Sequence, residues 1–139
     1  MAKGPSDESE QGDLLALAGE TYVLLTTTRR NGVEVGTPVW VARHDDALLV
    51  TTGAEAGKVK RVRHTPRVTL QACDMRGRPT EGSPIIEAIA SVHDDEQSTA
   101  HIEAALSAKY GAQYAAIRAM SKLRGRRAPA SVVVRLVAP

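Results

Sequence analysis

The sequence predicts a mainly β protein, a six-stranded antiparallel closed or split barrel with helices inserted between its strands. Six apolar segments rich in β-branched residues follow one another, mostly in hairpin-like succession. Strand-like and helix-like segments do not alternate, which argues against a parallel doubly wound sheet. The chain has 139 residues, a length that supports one domain with a single core.

The amino-terminal segment is polar. Residues 1–12 are rich in Gly, Ser, Glu and Asp, a composition typical of a flexible tail. Residues 13–139 are then the folded domain. Asp13 is placed to cap a short helix over Leu14–Ala18 that Gly19 would end.

The first hairpin has the clearest local signal. Thr21–Arg29 consists largely of Tyr, Val, Leu and Thr, and Asn31-Gly32 follows it. This dipeptide favours a tight turn because both residues tolerate positive φ. Val33–Ala42 is the predicted returning strand. Pro38 interrupts it and indicates an edge strand or a bulge, because proline cannot donate a ladder hydrogen bond.

The middle of the chain combines three strands with one short helix. A turn at residues 44–46 precedes the third strand, and a small-residue loop over 53–57 precedes the helix. A polar loop over 74–84 separates the fourth strand from the fifth. The predicted elements are the strands Ala47–Thr52, Val68–Cys73 and Ile85–His93 and the helix Lys58–His64, which Pro66 ends.

The carboxyl-terminal third is predicted to be helical until the last strand. From Asp94 the apolar residues recur at gaps of three, four and seven, which fits one buried stripe, and Gly111 is placed to bend or split the helix. Gly125-Arg126-Arg127 is a predicted basic turn and Ser131–Ala138 the sixth strand. The stripe consists of Ile102, Leu106, Tyr110, Ile117, Met120 and Leu123.

Composition excludes several classes of function. The single cysteine, Cys73, excludes an intrachain disulfide and a multi-thiolate metal site. One Trp, three Tyr and no Phe argue against a nucleic-acid module that stacks bases on aromatic rings. No apolar run approaches the length of a membrane span. The polar amino terminus resembles neither a secretory signal nor a transit peptide, so we expect a cytoplasmic protein.

The distribution of charge points to an anionic ligand. The net charge is only +2, but the amino-terminal tail is acidic, and residues 58–78 carry many Lys and Arg side chains against one acid, Asp74. Such a local cluster favours a small anion over a nucleic acid.

One segment combines the groups that hold a phosphate. Thr51 and Thr52 end a strand, and a short loop leads through Gly57 to a helix that opens with Lys58. The first turn of a helix offers unpaired backbone N–H groups and a partial positive charge. Lys58 and Arg61 lie on one helix face and add full charges. The spacing is not that of a P-loop, and the alternative is that Lys58–Arg63 is a solvated helix face.

The other candidate residues have weaker signals. The histidines, His44, His64, His93 and His101, form no paired metal motif, so no metal site is predicted. A single axial haem ligand is the alternative. Cys73 is interpreted as a small apolar core residue. Trp40 is either core packing or a pocket wall. Tyr110 is either a core contact or, like Tyr114, the border of a substrate space.

An ordered series of motifs resembles a known family over about residues 14–137. The chain is similar to the actinobacterial flavin/deazaflavin oxidoreductases, which are pyridoxamine 5'-phosphate oxidase-like split-barrel proteins, and more narrowly to their coenzyme F420-binding branch. The series begins with a hairpin and ends in the helical region. The matching segments are 22–29, Asn31-Gly32, 37–41, Thr51-Thr52, 57–63, 66–70, Cys73-Asp74, 76–79 and 109–111.

The resemblance implies a fold and a site. The fold would be the FMN-binding split-barrel type, in a homodimer with the cofactor at the subunit interface. Pro38, Val39 and Trp40 would line the pocket of the cofactor ring. Lys60 and Arg63 would face its anionic tail or solvent. The cofactor phosphate would be held by Thr51, Thr52, Gly57, Lys58, Val59 and Arg61.

The function expected from the resemblance is hydride transfer between coenzyme F420 and a small electron-poor organic substrate. The basic segment favours the more anionic of two candidate cofactors, and FMN is the alternative. A non-catalytic cofactor carrier or haem-binding split-barrel protein is the alternative from a different class. Tyr110 and Tyr114 are the substrate-pocket candidates.

Overall fold

The computed structural model describes residues 4–124 and 131–139 of the chain. Four helices, seven strands and a 3-10 turn at Leu17–Gly19 make up these residues. In chain order they are α1 (Gly4–Ala16), β1 (Tyr22–Thr28), β2 (Glu34–Val39), β3 (Ala42–His44), β4 (Ala47–Gly53), α2 (Gly57–His64), β5 (Arg67–Cys73), β6 (Ile86–His93), α3 (Glu96–Tyr110), α4 (Ala112–Arg124) and β7 (Ser131–Val137).

All seven strands form one antiparallel sheet in the order β2-β1-β5-β6-β7-β4-β3. Its two outer strands, β2 and β3, are separated in the chain only by Trp40 and Val41. The chain therefore joins both edges of the sheet, which curls into a half-barrel. Mainly antiparallel β structure is confirmed, but the prediction of six strands is wrong. The second strand ends at Val39, and Ala42–His44 forms an additional short strand that runs into the predicted turn at residues 44–46.

Pro38 lies on an edge strand, as its ring requires. It pairs with Leu24 of β1, and in the part of the chain that the structure describes no strand pairs with the other side of β2. The preceding turn is closed by a hydrogen bond from the Arg29 N–H to the Val33 carbonyl, 2.8 Å long. Of its two predicted turn residues only Gly32 adopts positive φ, at 87°.

The inside of the curled sheet holds the main core. Buried and half-buried residues alternate along β1, the two-residue period of a strand with one face turned to the core. The helices close this core, because Leu14 of α1 and Val62 of α2 pack among the strand side chains. Its largest fully buried members include Leu25, Leu48, Leu70 and Leu136.

Helix α1 begins earlier than the sequence predicts. It starts at Gly4, nine residues before Asp13, and so includes most of the segment predicted as a tail. Leu14 and Leu17 are buried, which explains why this part of the chain docks on the barrel. The division into a tail and a domain stays a prediction.

Helix α3 covers the outer face of β3, β4 and β7, and α4 packs against α3. Gly111, with φ at 53°, separates them as predicted. The predicted stripe is buried along α3 at Ile102, Leu106 and Tyr110. It is exposed along α4, where Ile117 and Met120 are 51% and 59% accessible, because the turn at Gly111 rotates the second helix relative to the first. The basic turn predicted at residues 125–127 lies outside the described residues.

Candidate anion-binding site

Helix α2 keeps its charged residues at the surface because its apolar residues pack against the barrel. Val59 and Val62 are buried, at 0% and 2% exposure, and fix one face of the helix to the barrel. Its N-cap is Ala56, whose side chain caps nothing. The N–H groups of the first turn therefore receive no side-chain acceptor at the cap, the condition under which a helix start binds anions.

Arg61 lies across the start of the same helix. Its Nε donates a 2.5 Å hydrogen bond to the Oγ1 of Thr27, a hydroxyl residue with no exposed surface. A Cβ added at Gly57 would come within 2.7 Å of a terminal guanidinium nitrogen. Glycine at this position thus leaves room for the guanidinium beside the N–H groups of Gly57 and Lys58, a set of donors suited to a phosphate. The Val59 N–H, also predicted to bind the phosphate, instead donates to the Ala56 carbonyl at 3.1 Å.

Lys58 is a half-buried cation without a counter-ion. Among the residues that the structure describes, no hydrogen bond or ion pair neutralises its ammonium group. Burial lowers the pKa of Lys58, and the positive charge of Arg61 lowers it further. Both effects disfavour the charged form, and a bound anion would reverse them.

A cleft of about 290 Å³ opens beside α2. It lies where the end of β1 and the following turn approach the helix. Five of its described lining residues carry a basic side chain and none carries a carboxylate. These residues are Thr28, Arg29, Arg30, Lys60, Arg61 and His64. The sequence does not single out Arg29, Arg30 and His64 as members of this cleft, although the Arg-Arg pair next to the Asn-Gly turn is a local signal for it.

The two predicted threonine ligands are placed differently. Thr51 is exposed on β4 and lines a separate cavity of about 220 Å³ between the sheet and helices α3 and α4. Tyr114 lines the same cavity. Thr52 pairs with Val132 of β7. The structure therefore brings Thr51 together with the substrate-pocket candidate Tyr114, and not with the cleft at Lys60 and Arg61.

Trp40 and Tyr110 form a stacked pair. Their ring centroids are 4.0 Å apart and the ring planes differ by 5°. The Tyr110 hydroxyl accepts a hydrogen bond from the Val41 N–H at 3.1 Å and donates one to the Thr21 carbonyl at 2.7 Å. Burial raises the pKa of Tyr110. Its hydroxyl is thus occupied by the main chain, which favours the core interpretation of Tyr110 over a role as proton donor.

The remaining ring-pocket candidates lie along β2. Val39 is buried in the barrel core. The Pro38 ring lies 3.4 Å from the position of a Cβ on Gly77, so the loop after β5 packs against it. In that loop Asp74 forms an ion pair with Arg78 at 2.8 Å. Hydrogen bonds from Arg78, first from its backbone N–H, lower the pKa of Asp74.

Three of the four histidines line one further cavity of about 250 Å³, at the start of α3. The rings of His44 and His101 are stacked with centroids 4.0 Å apart, and His93 is hydrogen-bonded to Ser91 at 2.8 Å. Within residues 4–124 and 131–139, no group of three or more His, Cys, Asp or Glu side chains is arranged to hold a metal ion.

The curled antiparallel sheet defines a split-barrel protein, and the cleft beside α2 is lined by basic side chains. A family model described as pyridoxamine 5'-phosphate oxidase matches residues 14–138. The chain belongs to that family. No curated protein matches the sequence. In the described part of the chain, none of the helices has the length and apolar character needed to span a bilayer.

Several solved structures share the fold at low sequence identity. A conserved hypothetical protein from Mycobacterium tuberculosis is 19% identical, with a TM-score of 0.65 over 99% of this chain and 86% of that one. The haem storage protein HutZ from Vibrio cholerae is 13% identical, with a TM-score of 0.63 over 100% and 92%. A haem-binding protein from Mycobacterium smegmatis is 16% identical, with a TM-score of 0.59 over 99% of this chain and 53% of that one.

Proposed function

We propose that the protein is a coenzyme F420-dependent oxidoreductase that acts on a small electron-poor organic substrate. The observation that carries the proposal is the cation-lined cleft beside α2, with no carboxylate among its described lining residues. Next to it lie Lys58, which has no counter-ion among the described residues, and Gly57, which leaves room for Arg61. FMN, which carries fewer negative charges, is the alternative cofactor.

The residues of this chain have distinct roles in the proposal. Arg61, held by Thr27, and Lys58 bind the cofactor phosphate, while Arg29, Arg30 and Lys60 attract the other anionic groups. Pro38, Val39 and Trp40 shape one wall of the ring pocket. When bound, the deazaflavin would supply hydride transfer to the substrate, and the protein would orient the two partners and exclude water. Thr51 and Tyr114 border the cavity that we assign to the substrate.

Equilibrium titration with F420 and FMN side by side tests the proposal. We expect cofactor-free protein to bind F420 more tightly than FMN, and reduced F420 to be reoxidised in the presence of electron-poor acceptors. Binding of neither coenzyme contradicts the proposal. Tighter binding of FMN favours the alternative cofactor in the same fold.

A haem-binding or carrier protein is the second candidate function. Two of the similar solved structures are a haem storage protein and a haem-binding protein, and the histidine-lined cavity offers His44, His93 or His101 as an axial ligand. A Soret band that appears at one equivalent of added haem, together with no reoxidation of reduced F420, would favour this candidate.

Lys58→Ala is expected to weaken binding of the phosphorylated coenzyme by about 1–3 kcal/mol, the usual cost of removing a hydrogen-bond partner from a site. In coenzyme-free protein the pKa of Lys58 lies below the usual 10.5. The wild-type protein should bind the coenzyme most tightly at pH values below this pKa, where Lys58 is charged. The affinity should fall as the pH rises through it. Fluorescence titration from neutral to alkaline pH measures both effects. A Lys58→Ala variant with unchanged affinity removes Lys58 from the site.

A homodimer with the cofactor at the subunit interface is also part of the proposal. Light scattering after size-exclusion chromatography should give twice the 14.8 kDa mass of one chain. A monomer at micromolar concentration, with or without coenzyme, contradicts this expectation.

A further inference from the structure

The sheet is broken between β2 and β3, at Trp40 and Val41. Val41 has no exposed surface, so its main-chain groups have no access to water. A buried backbone group needs another partner where a sheet ladder stops. At this break both partners come from the last residues of helix α3, 69 and 68 positions further along the chain.

Lys109 and Tyr110 supply these two contacts. The Val41 N–H donates to the Tyr110 hydroxyl, and the Lys109 ammonium donates to the Val41 carbonyl. Each side chain also reaches the segment that precedes β1: Lys109 donates to the Glu20 carbonyl and Tyr110 to the Thr21 carbonyl. The end of α3 thereby connects the break to the start of the first strand.

Lys109 and Tyr110 also hold the indole of Trp40, which lies at the break in the sheet. Trp40 is stacked on the Tyr110 ring with an interplanar angle of 5°, and the Lys109 ammonium lies 5.0 Å from the centre of that ring. An ammonium this close to an aromatic face is attracted by its quadrupole. The indole, the phenol and the ammonium therefore form one connected cluster, and its hydrogen bonds determine the position of the Trp40 main chain.

We infer that Lys109 and Tyr110 are positioning residues for the cofactor-ring pocket, because they hold the Trp40–Val41 break and with it the Trp40 wall. The inference rests on the proposed function, in which Trp40 borders the ring. It assigns a role to Lys109, and it places the function of Tyr110 in orienting Trp40, with no contact to substrate.

Trp40 is the only tryptophan of the chain, so its emission reports on this cluster without interference from another indole. In cofactor-free protein we expect Tyr110→Phe, which keeps the aromatic stack but loses the hydroxyl, to shift the emission to longer wavelength and increase quenching by acrylamide. Lys109→Met should do the same, and Lys109→Arg, which keeps a charged donor, should restore much of the wild-type signal. Leu70→Val is the control, because it reduces packing in the main core of the sheet, a cluster separate from the one that Trp40 packs against.

Affinity for coenzyme is the second measurement. We expect Tyr110→Phe and Lys109→Met to weaken coenzyme binding about tenfold, which corresponds to about 1.4 kcal/mol. Leu70→Val should lower the melting temperature and leave both the Trp40 signal and the affinity unchanged. Should Lys109→Met fail to fold, Tyr110→Phe and Lys109→Arg make the same comparison.

The outcomes separate this inference from the proposed function. Unchanged Trp40 emission in folded Tyr110→Phe overturns the positioning role. A changed emission with unchanged coenzyme affinity overturns its link to the ring pocket. If the wild-type protein binds neither coenzyme, the proposed function fails, while the emission of the variants still decides whether Lys109 and Tyr110 hold Trp40.

Discussion

Arg61→Met should weaken coenzyme binding by about 1.5–3 kcal/mol, the range for hydrogen bonds that involve a charged group. The same substitution removes the donor to the fully buried Thr27 hydroxyl. We therefore also expect the free energy of unfolding to fall by about 1–3 kcal/mol, the cost of an unsatisfied buried polar group. Fluorescence titration measures the first effect, and urea denaturation without coenzyme measures the second.

Two variants distinguish a local charge effect from the geometry of the guanidinium. Arg43→Met removes one positive charge from β3 and should leave affinity unchanged, because within the described residues the Arg43 side chain bonds to its own turn, through the Asp45 carbonyl. Arg61→Lys keeps the charge of α2 but loses the planar fork, so it should recover only part of the affinity. Equal affinities in Arg61→Met and Arg43→Met would contradict the proposed anion site.

Leu70→Ala should lower the free energy of unfolding by about 2–5 kcal/mol, the range for a leucine truncated in a closed core. Leu70 has no exposed surface and lies in β5 between Leu25 of β1 and Ile86 of β6. The strands on both sides restrict the relaxation that could fill the cavity. Urea denaturation of coenzyme-free protein provides the measurement.

Ile85→Ala is the matched control for that variant. Ile85 is 66% exposed and lies immediately before β6, so its truncation should change stability by less than about 0.5 kcal/mol. Similar losses in the two variants would mean that Leu70 does not lie in the core of the curled sheet.

The strands were predictable where burial on one face produces a local pattern. The sequences of β1 and β7 show alternating burial or short runs of β-branched residues. The predicted ends of both strands lie within one residue of the observed ends. The break after Val39 was not, because Val33–Ala42 has the composition of one strand. That break depends on Lys109 and Tyr110, which approach only in the folded chain. The exposure of Ile117 was not predictable for a similar reason. Its spacing places it on the apolar stripe of the predicted helix, but the turn at Gly111 leaves its side chain exposed.

The site was predictable only where its residues are neighbours in sequence. Gly57, Lys58 and Arg61 occupy one short segment, and their spacing on a helix indicates a shared anion. Arg61 meets Thr27 across 34 positions, and no sequence pattern indicates that contact. Arg29 and Arg30 join the cleft for the same reason, because the end of the first hairpin approaches α2 only after the sheet has curled.

The short outer strands also bear on how the protein behaves at high concentration. An unpaired strand edge can recruit an edge from another molecule and start aggregation. Here β3 has only three residues, and β2 contains Pro38, which offers no N–H for pairing. Neither edge of the sheet presents a long continuous row of unpaired amide groups. We therefore expect the protein to resist forming intermolecular β-sheets in concentrated solution.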